Sequence, residues 1–306
     1  MIINTKNINK SLNQFAKDNK LSDGVYEQIR GRRKTIERFL EEYINGNGNK
    51  VIEKFHLGSY QIRTGVMYHD NDFDIDYAFV LKDENGVREL RRKVEPWLRG
   101  RLKDHYKMPI RVENNKNALT VKFYRKENGV LKQIFHLDIP FYVKKNDKYF
   151  HLKRDDFDNY NLIETEPKKT FNRQKDALNE ANGMNNKRNA IILLKYLRSR
   201  NHIKGITSIY ITDRIIEQNE KEDTFLLMKN FFENPAIGNY NLKEKPQTNL
   251  IKDINEFNET RKELKKMFIG EDTIEVYNKL NSKFDNKLKA LPIEEGEEKI
   301  ENHFGG

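Results

Sequence analysis

The 306-residue sequence contains no cysteine. Disulfides, thiolate metal sites and cysteine nucleophiles are thereby excluded, and the chain suits a reducing compartment. No apolar run approaches the ~20 residues needed to span a bilayer. The first stretch, MIINTKNINKSLNQFAKDNK, lacks the apolar core of a signal peptide, so a soluble, cytoplasmic protein is expected. The seven histidines show no metal-ligand spacing, and there is neither an internal repeat nor a long low-complexity segment. What the chain does have is basic charge: 57 Lys and Arg against 47 Asp and Glu, a formal +10. Such a balance suits anionic partners, whether nucleotides, nucleic acids or an anionic membrane face. Charge this dispersed also serves solubility alone. The length accommodates one large domain or two lobes.

Hydrophobic periodicity divides the chain into a mixed α/β first half and a helical second half. Residues 7–46 carry a helical stripe through Leu12, Phe15, Leu21, Val25, Ile29, Ile36, Phe39, Leu40 and Tyr43, ended by GNGN at 46–49. VIEKFHL then reads as a short strand running into Gly58-Ser59. From Asp72 the pattern is strict alternation, with Phe73, Ile75, Tyr77, Phe79 and Leu81 on one face and Asp72, Asp74 and Asp76 on the other. Residues 87–105 look helical with a proline interruption. A strand through Leu119, Val121 and Phe123 follows, then an Asn128-Gly129 hairpin signal, then a return strand from Ile134 to Val143. Beyond about residue 160 helical patterns take over, at 173–182, 187–200, 206–218, 222–233 and 250–290. The segment 292–306 is polar and is expected to form a flexible tail.

The chemistry is concentrated in three places: Gly58-Ser59 after one strand, Asp74-Ile75-Asp76 on a second, and Asp138 on a third. Residues i and i+2 of a strand point the same way, roughly 6.5–7 Å apart. Two such carboxylates can converge on divalent ions held about 3.5–4 Å apart. A third carboxylate from an adjacent strand can complete the site and accept a proton from an attacking hydroxyl. The Gly-Ser turn offers backbone N–H groups and a hydroxyl to phosphate oxygens. Asp-X-Asp alone is a common surface pattern, and so is Gly-Ser. Their combination with Asp138, a charged group inside an otherwise apolar strand, is hard to explain without a metal.

HLGSY, DFDIDYAFVL and FHLDIPFY together resemble the polymerase-β-type nucleotidyltransferases, and among them the bacterial CD-NTases, the cGAS/DncV-like family. The run His136-Leu137-Asp138-Ile139-Pro140 is particularly similar to the bacterial cyclic GMP–AMP synthase version, and the likeness covers roughly residues 50–215. It implies an α+β, two-lobed nucleotidyltransferase fold: a mixed-sheet catalytic lobe over 1–160, including the N-terminal helix, and a helical lobe over 161–291. It also implies synthesis of a cyclic di- or trinucleotide from nucleoside triphosphates with Mg²⁺ or Mn²⁺, in antiphage signalling. Asp74, Asp76 and Asp138 would be the catalytic metal ligands, Asp138 also assisting deprotonation of the attacking hydroxyl. Because three aspartates alternate where the family needs two, an Asp72/Asp74 pairing stays open. By the same likeness Gly58, Ser59, Lys195 and Ser208 would grip the triphosphate. From the residues alone, Lys195 also reads as a lysine snorkelling out of an apolar helix. Arg63 and Thr64 read as pocket or surface residues, and Arg125 is a weaker candidate.

The basic run RGRRK at 30–34 reads as a solvated helix face rather than a nucleic-acid contact. With no zinc ligands and no stacking stripe, a nucleic-acid activator is not expected. Two rival functions remain: transfer to a protein, RNA end or small molecule on the same core, and a non-catalytic nucleic-acid-binding module. Operons of the resembled family often encode an E1/E2-like ligase. The tail ending Phe304-Gly305-Gly306 is therefore expected to be a conjugation handle through the Gly306 carboxylate, unless it is a frayed end.

Overall fold

A computed structural model describes residues 5–66, 74–82, 84–179, 184–200, 206–219, 222–233 and 258–289, excepting the side chains of Asp74, Thr170 and Met184. Asp72, the His69-Asp70 pair and the tail through Gly306 lie outside the described residues.

The long helical stripe of 7–46 is two helices, α1 (Thr5–Asn19) and α2 (Asp23–Gly46). Lys20 between them bridges to Val66. Ser22 caps α2, its hydroxyl accepting the Val25 N–H at 3.3 Å. The break has a packing cause, because the two apolar stripes serve different cores. Ile8, Leu12, Phe15 and Ala16 of α1, which the sequence grouped with the sheet lobe, join a cluster built by the C-terminal helices. Ile29, Ile36, Phe39, Leu40 and Ile44 of α2 cover the sheet instead.

The sheet has eight strands: β1 (Val51–Leu57), β2 (Asp74–Leu81), β3 (Ile110–Asn114), β4 (Leu119–Glu127), β5 (Val130–Ile139), β6 (Phe141–Lys145), β7 (Lys148–Arg154) and β8 (Tyr160–Thr165). A four-residue helix, α3 (Gly58–Gln61), follows β1, and α4 (Val87–His105) follows β2. The strand anticipated over 134–143 is broken at Pro140, which has no N–H to give to a ladder. Both halves keep one register on β2, Asp74–Asp76 against His136–Asp138 and Phe79–Leu81 against Phe141–Val143, all parallel. On its other side β5 pairs with β4 and β6 with β7. At the β4–β5 turn Asn128 and Gly129 both have positive φ, 48° and 82°, the conformation for which an Asn-Gly pair is selected.

Sequence patterning missed β3, β7 and β8. β8 shows why: five of its six positions are half or fully solvent-accessible, so little apolar alternation is needed to place it. Pro96 does not interrupt α4. It lies on the solvent side, while Leu90, Val94, Leu98 and Leu102 form a buried stripe that holds the helix continuous.

The C-terminal part is helical: α5 (Pro167–Asn179), α6 (Met184–Arg200), α7 (Ser208–Ile216), α8 (Thr224–Glu233), a helical stretch through 258–265 ending in the 3-10 turn Lys266–Phe268, and α9 (Thr273–Lys283). Ile62 and Val66, from the segment after α3, are buried in this cluster. That segment therefore ties the Gly-Ser turn to the helices. Among the described residues no helix is long and apolar enough to cross a membrane.

Candidate active site

The alternation of β2 sorts its side chains cleanly. Ile75, Tyr77, Phe79 and Leu81 enter the core beneath α2 and α4, while Ala78 and Val80 face the opposite side, the side to which period two also assigns Asp74 and Asp76. Asp76 and Asp138 are register partners on adjacent parallel strands, which places their Cα atoms about 4.8 Å apart. Asp74 partners His136. Leu57, the last residue of β1, pairs with Asp76 from the other side and delivers Gly58 directly onto it.

Gly58 is required here for two reasons. Its φ is 67°, in the left-handed region. A Cβ added to it would also overlap the Asp76 carboxylate, with Cγ only 3.4 Å away. The turn backbone thus packs against a carboxylate as no side-chain-bearing residue could. Ser59 follows at the start of α3, half-buried, and its carbonyl accepts the Thr64 N–H at 3.0 Å.

Asp138 is held from β4. The Thr120 hydroxyl donates to its Oδ1 at 2.5 Å, and the Asn115 amide donates to Thr120 Oγ1 at 2.8 Å. The His136 Nε2 lies 3.6 Å from Asp138 Oδ2, and its Nδ1 lies 3.4 Å from the Gln133 amide. Farther along the same face Tyr142 is buried, stacked on His151 at 4.8 Å. Burial raises the Tyr142 pKa strongly, and the Asp76 charge adds to the effect. None of Thr120, Asn115 or Tyr142 was singled out from sequence. Thr120 alone had a visible signal, as a polar residue in an apolar alternating strand.

Lys195 does not snorkel to water. It is 2% exposed, and its Nζ donates to the Thr64 hydroxyl at 3.0 Å and the Thr64 carbonyl at 3.3 Å. Thr64 is itself fully buried, not a surface residue, so α6 grips the segment that follows the Gly-Ser turn. Arg63 beside it is exposed. Ser208 is the first residue of α7, but Thr207 supplies the N-cap by accepting the Tyr210 N–H at 3.1 Å. Arg125 sits on the β4–β5 hairpin, paired with Glu127. The RGRRK run is not a uniformly solvated face. Arg32 lies 5.1 Å and 5.2 Å from the ring centroids of Phe123 and Phe135, and Arg33 lies 4.5 Å from that of Tyr77. The aliphatic stems and flat guanidinium groups pack on aromatic surface, which periodicity alone does not reveal.

Among the described residues no group of three or more His, Asp or Glu side chains stands arranged for a metal; the Asp74 side chain lies outside them. The donors that are described, two register-paired carboxylates beside a turn with no side chain at Gly58, are hard oxygen ligands of the kind that suit Mg²⁺ or Mn²⁺.

Residues 7–123 match the model of the Second Messenger Oligonucleotide or Dinucleotide Synthetase (SMODS) domain. No curated protein sequence matches the chain. The fold is similar to that of Vibrio cholerae DncV, a di-nucleotide cyclase, in a mutant form with ATP, GTP and 5MTHFGLU2: TM-score 0.68 at 12% identity, covering 95% of this chain and 98% of that one. Escherichia coli CdnC with ATP gives a TM-score of 0.60 at 14% identity, covering 92% and 99%. Bradyrhizobium diazoefficiens CdnG, a CD-NTase with GTP, gives 0.60 at 11% identity, covering 89% and 97%. Residues 7–123 thus match the SMODS domain model, and the α+β fold is similar to that of DncV.

Proposed function

We propose that this protein is a cyclic oligonucleotide synthase, joining nucleoside triphosphates into a cyclic di- or trinucleotide of the cyclic GMP–AMP kind with release of pyrophosphate. The observation that carries the reading is the pairing of Asp76 with Asp138 on neighbouring parallel strands, with the bare Cα of Gly58 packed on the Asp76 carboxylate. Asp74, Asp76 and Asp138 would hold Mg²⁺ or Mn²⁺, which when bound neutralises triphosphate charge and stabilises the entering and leaving oxygens. Asp138 accepts the proton of the attacking ribose hydroxyl. Gly58 and Ser59 present backbone N–H groups and a hydroxyl to the phosphates. Lys195 and Ser208 supply the helical half of that grip, Lys195 through its hold on Thr64.

The bound ATP and GTP of DncV, and the ATP of CdnC, support nucleoside triphosphates as substrates. A cytoplasmic role in antiphage signalling fits this chemistry. Conjugation of the Gly306 carboxylate by an E1/E2-like ligase is part of the proposal; deleting Gly305 and Gly306 should abolish conjugation and spare synthesis. The deciding experiment incubates the protein with Mg²⁺ or Mn²⁺ and each radiolabelled triphosphate, alone and in pairs, then treats with phosphatase and resolves the products. A phosphatase-resistant species is expected, and its absence from every combination would refute the reading.

A further inference from the structure

We propose that Thr120, Asn115 and Arg91 form a positioning relay that fixes the Asp138 carboxylate in its cation-binding orientation before any cation arrives. The inference rests on the assignment of Asp138 as a metal ligand and adds to it three residues with no direct part in the chemistry.

The relay begins at the carboxylate. Thr120 is 3% exposed and lies opposite Asp138 in the β4–β5 ladder, its hydroxyl 2.5 Å from Oδ1. A hydroxyl can donate in only one direction at a time, and it can turn away if a better acceptor offers. Here the Asn115 amide donates to Thr120 Oγ1 at 2.8 Å. That bond occupies a lone pair and directs the hydroxyl hydrogen to Asp138. With Oδ1 tethered, the rotation of the carboxylate is fixed and Oδ2 is the oxygen presented beside His136.

Asn115 in turn needs an anchor, because it stands on an otherwise exposed turn. The turn is closed by the Asn115 N–H donating to the Ala118 carbonyl at 3.0 Å. Behind it lies Arg91 of α4, 1% exposed and the largest fully buried side chain among the described residues. Its guanidinium donates to the Asn115 carbonyl at 3.2 Å and to the Asn114 side-chain oxygen. Asn114 is locked further by donating to the Arg91 carbonyl at 3.2 Å and to the Tyr160 hydroxyl at 2.7 Å. Burying a guanidinium costs more than burying an apolar side chain of similar size. In this position the cost is offset by a turn held rigid enough to aim one amide at one hydroxyl. Groups that orient metal-ligating carboxylates from behind act on affinity as strongly as many direct contacts.

The test measures Mn²⁺ binding directly, by electron paramagnetic resonance titration without nucleotide. Thr120→Val removes the hydroxyl at nearly constant shape, and Thr120→Ser restores it. Asn115→Asp offers the hydroxyl a competing acceptor and so turns its hydrogen away from Asp138. Thr120→Val and Asn115→Asp should each weaken Mn²⁺ binding about ten- to a hundredfold, whereas Thr120→Ser keeps the wild-type affinity and all three keep the wild-type melting temperature. Thr120→Val binding Mn²⁺ as wild type, or Thr120→Ser as weak as Thr120→Val, overturns the relay. Should Thr120→Val fail to fold, Asn115→Asp on the exposed turn decides alone. Asp138→Asn separates the two levels. If it loses Mn²⁺ while Thr120→Val does not, only the relay falls. If it too binds as wild type, the assignment of Asp138 falls with it.

Discussion

Replacing Gly58 with alanine tests the site at the point where backbone and carboxylate meet. Two costs arise and they can be separated. The first is conformational: a Cβ at φ 67° costs roughly 1–2 kcal/mol. In a chain of this size that lowers the melting temperature by roughly 2–8 °C. The second is steric. The new methyl would overlap the Asp76 carboxylate, and between a fixed turn and a side chain it is the side chain that moves. Displacing a reacting group by about 1 Å costs on the order of a hundredfold in rate. Gly86→Ala supplies the comparison. Its φ is 72°, yet nothing lies within 4 Å of the added Cβ. Both variants should therefore melt earlier by similar amounts, but only Gly58→Ala should lose turnover, by about a hundredfold or more. Melting curves and single-turnover synthesis at saturating metal make the measurement. Equal turnover in the two variants would show that the approach of Gly58 to Asp76 has no catalytic consequence.

Asp76→Ala and Asp138→Ala should each abolish synthesis while the melting temperature holds or rises, since removing one of several clustered carboxylates relieves like-charge repulsion; activity above a few per cent of wild type would remove that residue from the site. Comparing Asp72→Ala with Asp76→Ala identifies which of them completes the pair with Asp74, the inactive variant being the ligand. Lys195→Met should weaken triphosphate binding by up to roughly ten- to a hundredfold, because the segment after the Gly-Ser turn loses its charge-assisted hydrogen bond to Lys195, worth about 1.5–3 kcal/mol, as read by equilibrium nucleotide titration; unchanged affinity with a lower melting temperature would confine Lys195 to structure. Stability should fall as pH drops from about 6.5 to about 4. Burial holds both His56 and His151 near a pKa of about 4. Their folded values are depressed, so the unfolded chain takes up the protons first and each histidine forfeits on the order of 3 kcal/mol. Urea midpoints for wild type and His151→Gln across this window should diverge toward neutral pH, and parallel curves would refute the assignment.

Much of the site was legible in the primary sequence because period two is a property of the extended backbone itself. Ile75, Tyr77, Phe79 and Leu81 had to face away from Asp74 and Asp76, and Phe135, Leu137 and Ile139 away from Asp138. The Asn128-Gly129 turn had to reverse the chain, because two consecutive positive φ values strongly favour such residues. Other features depended on contacts distant in sequence. The apolar stripe of 7–46 gave no sign that α1 and α2 serve different cores, since a hydrophobic face does not specify what will cover it. Lys195 read as a phosphate ligand or a snorkelling lysine; its burial against Thr64 depended on where α6 meets the segment after the Gly-Ser turn. The register around Asp138 was equally out of reach. Counted back from the turn at 128–129, Leu119 would face Asp138, but a bulge between Phe123 and Tyr124 advances the ladder by one residue and puts Thr120 there. A one-residue slip exchanges the faces of a strand. Local alternation therefore determined which side chains share a face, while only the packing of the sheet against its helices decided which of them meet.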